Sequence, residues 1–246
     1  MYRTVTLLLA SLMTTAGAQA ADAAGVISSA DDAMNRAKDQ VIEWDVVNQE
    51  PGKKDPKTMH FTSSVMGQKT LTEFSAPADL KGTRVLVLSR EQMYIYLPQF
   101  SKVRRVAQHT TQQGFMGTTF SFDDMNTSRF GDIYSGSVKA ENGKEVTLEL
   151  SPLSPDTAPY AKAEVVFDTE MGHPLSMKYF NEDGKHVKTE TRSDYECQDD
   201  VCLAGVIRME DHTREGAWTE LRRTAWQLNT GVDADVFTTR NLQRGD

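Results

Sequence analysis

The sequence predicts a mainly β domain of the α+β kind, built on one large antiparallel sheet with few helices. Three observations carry this. Segment after segment alternates apolar and polar residues with period two. Asn142-Gly143, Asp183-Gly184 and Glu215-Gly216 are tight-turn pairs standing between such segments. Past residue 20, only one stretch has clear helical period.

In chain order, residues 1–20 read as a cleavable signal peptide. Arg3 gives a positive start, Val5 to Met13 a short apolar stretch, and Ala18-Gln19-Ala20 a small-residue cleavage site. The apolar stretch is well short of the roughly 20 residues that a membrane span needs. No cysteine lies near the cleavage point, so no lipid anchor is expected there. Residues 21–246 then read as one domain, expected to be soluble and exported.

The helix is expected next, capped by Ser28 or Ser29 with Asp31 or Asp32 closing a capping box. Ala30, Ala33, Met34 and Ala37 form its apolar face, and Asp32, Arg36 and Lys38 the opposite one. About three turns are expected, ending before Val41. Strands follow at Val41–Val47, Thr58–Val65, Lys69–Phe74, Thr83–Leu88 and Met93–Leu97, with a turn at 50–56. The series resumes at Glu145–Leu150, Ala163–Phe167, Leu175–Phe180, Lys185–Tyr195, Val201–Met209 and Ala217–Leu228.

Between the two series lies Gln108–Asp132, with a polar lead, glycines at 114, 117 and 131, and a cluster of Phe115, Met116, Phe120, Phe122 and Met125. Ser121 followed by Asp124 is suited to cap one short helical turn. A connection of this length in a compact domain is usually functional or disordered, and this one is too aromatic for simple disorder. Two readings stay open: a loop that plugs one end of the core, or a movable flap over an apolar cavity, since methionine repacks easily.

Composition excludes several classes. With 27 basic against 35 acidic side chains, a net charge of −8 and no long basic tract, nucleic-acid binding is not expected. A mean hydropathy of −0.49 excludes a polytopic membrane protein. The 10 Phe, 7 Tyr, 3 Trp and 11 Met exclude a disordered acidic tail. In an exported chain, Cys197 and Cys202 are read as a structural disulfide across a hairpin tip. A zinc pair lacks partners, because His186 and His212 stand alone, and a redox pair usually has two intervening residues.

Catalysis finds no support. His60, His109, His173, His186 and His212 show no metal-binding spacing, and there is no nucleophile elbow or phosphate loop. Ser135-Gly136-Ser137 reads as a strand interrupted at a glycine. No catalytic residue, metal or cofactor is expected, and the chain is not expected to be an enzyme.

The stretch 93–125 carries a family resemblance. It contains Tyr96-Leu97-Pro98, Arg104-Arg105 and Gly117-Thr118-Thr119-Phe120-Ser121-Phe122-Asp123-Asp124. Outside it, Phe74, Pro77, Asp79, Gly82 and Thr83, then Gly172 and Pro174, Tyr179, Gly184 and Lys185, and Phe237, Thr238 and Leu242 continue the same order. In these residues the chain resembles the LolA-like outer-membrane lipoprotein-sorting proteins. The resemblance implies a strongly curved antiparallel sheet forming an unclosed β-barrel, with helices covering its mouth. It implies a periplasmic, monomeric carrier of lipid or lipoprotein acyl chains moving toward the outer membrane. It also implies an inner-membrane RND-type exporter as a partner, so that a non-shuttling accessory subunit of such a complex is the alternative.

On this reading Phe115, Met116, Phe120, Phe122 and Met125 form a lid over the cargo site, joined by Tyr94, Tyr96 and Leu97. Which face of 94–97 looks inward stays open: Tyr94 and Tyr96, or Ile95 and Leu97. Arg104 or Arg105 is a candidate latch to Asp123 or Asp124. Consecutive strand residues point to opposite faces, so at most one of the two arginines reaches inward. The alternative places both in solvent, where an ion pair is worth under about 1 kcal/mol.

Overall fold

The computed structural model describes residues 21–107, 111 and 114–244. The expected signal peptide, 1–20, and parts of the 108–113 stretch lie outside the described residues.

Thirteen strands form one antiparallel sheet. The first series is β1 (Gln40–Gln49), β2 (Lys57–Met66), β3 (Lys69–Ala76), β4 (Arg84–Ser89), β5 (Gln92–Leu97) and β6 (Lys102–Arg105). The second is β7 (Tyr134–Asn142), β8 (Glu145–Pro152), β9 (Lys162–Asp168), β10 (His173–Phe180) and β11 (His186–Ser193). Then come a small separate hairpin, β12 (Glu196–Gln198) and β13 (Val201–Leu203), followed by β14 (Val206–Asp211) and the long β15 (Ala217–Leu228). The spatial order is 6-5-4-3-2-1-15-14-11-10-9-8-7, so β6 and β7 are open edges and the curved sheet does not close into a barrel. The two series meet where β1 pairs with β15, from Gln40↔Leu228 to Gln49↔Trp218.

Alternation sets the faces. Ile42, Trp44 and Val46 of β1, Phe61 of β2, Leu148 and Leu150 of β8, Val165 and Phe167 of β9 and Met209 of β14 fill the concave side as one buried cluster. On the convex side a smaller cluster joins Leu71 and Leu86 to Phe237 and Leu242, with Tyr94, Tyr96 and Val103 packed against it. A short C-terminal helix, α3 (Thr239–Arg244), supplies Leu242.

The N-terminal helix, α1 (Ala23–Met34), starts earlier than the sequence suggests. Asp22 is the cap, accepting from Ala24 and Gly25 N–H, and Ser28 and Ser29 sit exposed inside the helix. Moving the start forward adds Ala23 and Ile27 to the buried stripe with Ala30 and Ala33. Ala37 falls outside the helix, which is closed by Asn35. Asp31, expected as a cap residue, is instead buried.

Gly136 does not interrupt its strand. β7 runs through it, and a side chain there would meet Ile27 Cδ1 at 2.9 Å and Leu150 Cδ2 at 3.0 Å. The glycine lets α1 lie directly on β7. The expected strand 201–209 breaks at Ala204-Gly205, giving β13 and β14. Cys197 and Cys202 are directly paired across β12 and β13 and are disulfide-bonded. Closing so short a loop removes little chain entropy, so the bond stiffens a hairpin and not the domain.

Candidate functional site

Residues 114–133, between β6 and β7, cross the concave side, and beneath them lies a cavity of about 200 Å³. Its floor is apolar sheet: Ile42, Trp44, Phe61, Val85 and Met93. Its roof is Phe115, Phe120, Phe122 and Met125. Phe115 packs edge-on to Phe122 at 5.2 Å between ring centres, and tilts against Phe74 of β3 at 5.8 Å.

The roof is tied down at three places. At its tip, a turn with Met116 at φ 51° and Gly117 at φ 82° reverses the chain. Phe115 N–H then donates to Phe120 C=O at 2.6 Å. Thr119 N–H donates to Thr219 Oγ1 at 2.9 Å, and Thr119 Oγ1 donates to Met209 C=O at 3.0 Å. Thr219 Oγ1 in turn donates to Asn48 Oδ1 at 2.6 Å, and Asn48 Nδ2 donates to Gly117 C=O at 3.3 Å. These partners sit on β1, β14 and β15, with Asn48 and Thr219 at inward positions. A polar residue breaking an inward apolar series, as Asn48 does after Val46, was the available signal.

In the middle, Ser121 and Asp124 form a reciprocal capping box that starts a one-turn helix, α2 (Phe122–Asn126). Asp124 also accepts from Tyr160 Oη at 2.7 Å and pairs with Lys188 Nζ at 2.8 Å. The two side chains of this ion pair are only 2% and 14% exposed. Asp123 accepts from Thr111 Oγ1 at 2.7 Å and lies 4.0 Å from Arg90 Nε, and burial raises its carboxyl above the ordinary range. At the far end, buried Asp31 of α1 accepts from Phe130 N–H at 2.6 Å and Gly131 N–H at 2.9 Å. Burial again raises the Asp31 carboxyl above its usual value.

The structure corrects the arginine latch. Arg104 and Arg105 are both exposed on edge strand β6. Arg104 lies over the Phe100 ring and Arg105 donates to Glu91 C=O at 2.9 Å. The partners of Asp123 and Asp124 are Arg90 and Lys188 instead. Tyr94 and Tyr96 are corrected as well: they pack on the convex side under α3, while Ile95 packs toward the concave core. Leu97 does not line the cavity, and Met116 packs against the core without lining it. Phe115, Phe120, Phe122 and Met125 do line it.

One wall of the site was not foreseen. Lys188, Glu190 and Arg192 alternate along β11, which from sequence reads as a solvated face, yet Glu190 and Arg192 line the cavity. Glu190 Oε1 accepts from Arg192 Nε at 2.7 Å and Oε2 from Tyr179 Oη at 3.2 Å. Tyr179 stacks on Tyr160 with ring centres 4.3 Å apart, and burial pushes both phenols well up. Beyond Arg192, buried His173 is held down to about 4, by desolvation first and then by the charges of Arg192 and Arg36.

His173 makes stability acid-sensitive. Its folded value lies below the unfolded one, so its contribution is complete above about 6.5 and is lost as the pH falls toward about 4. From pH 7 to about 4.5, the wild type is expected to lose about 2–3 kcal/mol more than His173→Gln. Urea unfolding of both proteins at the two pH values measures this. Equal losses would show that His173 is protonated in the fold.

Among the described residues no group of His, Cys, Asp and Glu is arranged to hold a metal.

Comparisons place this architecture. A family model described only as an uncharacterized-protein-like family matches residues 66–244. No curated protein matches the sequence. A candidate outer-membrane lipoprotein-sorting protein domain from Vibrio parahaemolyticus superposes with a TM-score of 0.77 at 23% identity, covering 91% of this chain and 100% of that one. A DUF1329 family protein from Desulfovibrio piger gives 0.80 at 22% identity, covering 89% and 98%. A LolA superfamily protein from Nitrosomonas europaea gives 0.74 at 16% identity, covering 90% and 100%. At these identities the similarity establishes a common fold.

Proposed function

Because the chain belongs to the uncharacterized family matched over 66–244 and has the LolA-like fold, we propose that it is a periplasmic carrier. It takes acyl chains of a lipid or lipoprotein into the roofed cavity and moves them toward the outer membrane. The observation that carries this is the cavity itself, with its apolar floor and its roof of four Phe and Met side chains. An acyl chain in water costs about 0.8 kcal/mol per methylene, and a matching apolar hollow removes that cost. The present 200 Å³ is below the roughly 300–1,000 Å³ of ligand pockets, so a long chain enters only if the roof repacks or lifts. The leader-like residues 1–20 and the Cys197–Cys202 disulfide support an oxidising, extracytoplasmic compartment. The V. parahaemolyticus domain, by its description, supports the direction.

Native mass spectrometry of the protein purified from its own envelope tests the carrier reading. A co-purifying species with the mass of an acyl lipid or lipidated protein is the expected result. An empty protein that also fails to take up added lipid would end it. The second reading is an accessory subunit docked on an RND-type exporter. It is favoured by open edge β6, where Lys102, Arg104 and Arg105 are exposed beside Phe100, itself 54% exposed. Under that reading the same experiment yields an empty cavity and a bound protein.

A further inference from the structure

The polar wall of the cavity has more donors than acceptors. Both oxygens of Glu190 are used, by Arg192 Nε and Tyr179 Oη. Both oxygens of Asp124 are used, by Tyr160 Oη on one side and by Lys188 Nζ and Ser121 N–H on the other. Across the cavity Ser63 and Thr72 bond each other at 3.2 Å. Arg192 differs. A guanidinium carries five N–H groups, and Glu190 takes the one on Nε. The Tyr195 phenol is a further acceptor, its own proton going to Pro174 C=O. Among the described residues no second carboxylate meets the terminal nitrogens, and the side chain keeps 21% exposure where it lines the cavity. Burial opposes the Arg192 charge, but Glu190 and Tyr195 outweigh it and keep the group charged. The positive field here is strong enough to add to the burial that holds His173 neutral.

Resting on the carrier reading, we propose that this end of the cavity is a head-group site for a single-chain anionic lipid. The free face of Arg192 takes a carboxylate or phosphate in a charge-assisted, two-pronged hydrogen bond. The tail runs from there over Ile42 and Val85 toward Met93, Phe115 and Phe120. Because even one long chain requires the roof over this 200 Å³ hollow to repack, a single chain fits more readily than two. A lipidated protein presents its chains on uncharged esters and amides, so it does not satisfy this donor.

The test uses the full chain and four probes with the same tail: palmitic acid, palmitoyl-lysophosphatidylglycerol, methyl palmitate and monopalmitoylglycerol. Binding is read by displacement of a fluorescent fatty alcohol. At least one anionic probe is expected to bind about tenfold or more tighter than its neutral counterpart. Preference for the acid assigns a carboxylate head, and preference for the lysolipid a phosphate. The double variant Glu190→Gln with Arg192→Gln removes both charges together, so neither is left buried alone. It is expected to bring the affinities of the anionic probe and its neutral counterpart within about twofold of each other. Equal binding of all four probes to the wild type would overturn the head-group site and leave the carrier reading standing, as would a preference that survives the double variant. Binding of none would overturn the carrier reading itself. The acid-against-ester comparison needs no variant, so failure of the variant to fold would not remove the test.

Discussion

Asp124→Ala is expected to cost about 3–5 kcal/mol of unfolding free energy, the range for stranding one partner of a buried ion pair. Lys188 would keep a charge in a site only 14% exposed, Tyr160 Oη would lose its acceptor, and the capping box of α2 would lose one of its two bonds. Because Asp124 joins the roof to the sheet, the loss should concentrate there. Amide exchange of α2 is expected to accelerate far more than that of β8 or β9. The double variant Asp124→Leu with Lys188→Met should recover most of the stability, since a buried pair replaced by apolar groups is often neutral. Urea unfolding and hydrogen exchange measure the two halves. A single-variant cost under about 1 kcal/mol would mean that the pair is solvated and does not hold the roof.

Phe115→Ala is expected to cost about 3–5 kcal/mol, the range for removing a buried aromatic. Phe115 is enclosed by Phe74 below and Phe122 beside it, so the site has little room to collapse. The same change enlarges the cavity and should favour longer acyl chains over shorter ones in uptake assays. Stability and uptake thus move in opposite directions, which a purely structural roof would not produce. A stability loss without any change in chain-length preference would sink the role of Phe115 as the ceiling of a cargo site. No measurable stability loss would show a roof standing open in solution.

Much of the architecture was legible because alternation and turn chemistry are local. Ala217–Leu228 is a strand with the boundaries that its period gives, and the three turn glycines all have positive φ between paired strands. Ser121 and Asp124 form the short-range box that their spacing suggests. What was not legible depends on distant partners. Asp22 outcompeted Ser28 because the helix face is decided by contacts with Leu150 and its neighbours across Gly136. The charges at 188, 190 and 192 mark an outer face unless one knows that Asp124 and the Tyr179 phenol await them inside. The doubled arginine at 104–105 looked suited to reach the roof, but it lies on an open edge, where charged side chains protect unpaired backbone. Tyr94 and Tyr96 were sent outward by two residues far along the chain, Phe237 and Leu242.

The seam between β1 and β15 has a temporal meaning. Nearly every other neighbouring pair in the large sheet is adjacent in sequence, apart from β11 with β14, which flank the disulfide hairpin. Each wing can therefore assemble from local hairpins as the chain emerges N-terminus first, whereas Gln40 waits for Leu228. Once the second wing has begun at β7, the two half-sheets stay unjoined until β15 is present. Its concave surface is completed by the last strand to emerge, so a chain stopped short of residue 217 would hold every roof residue but no finished vault for them to cover.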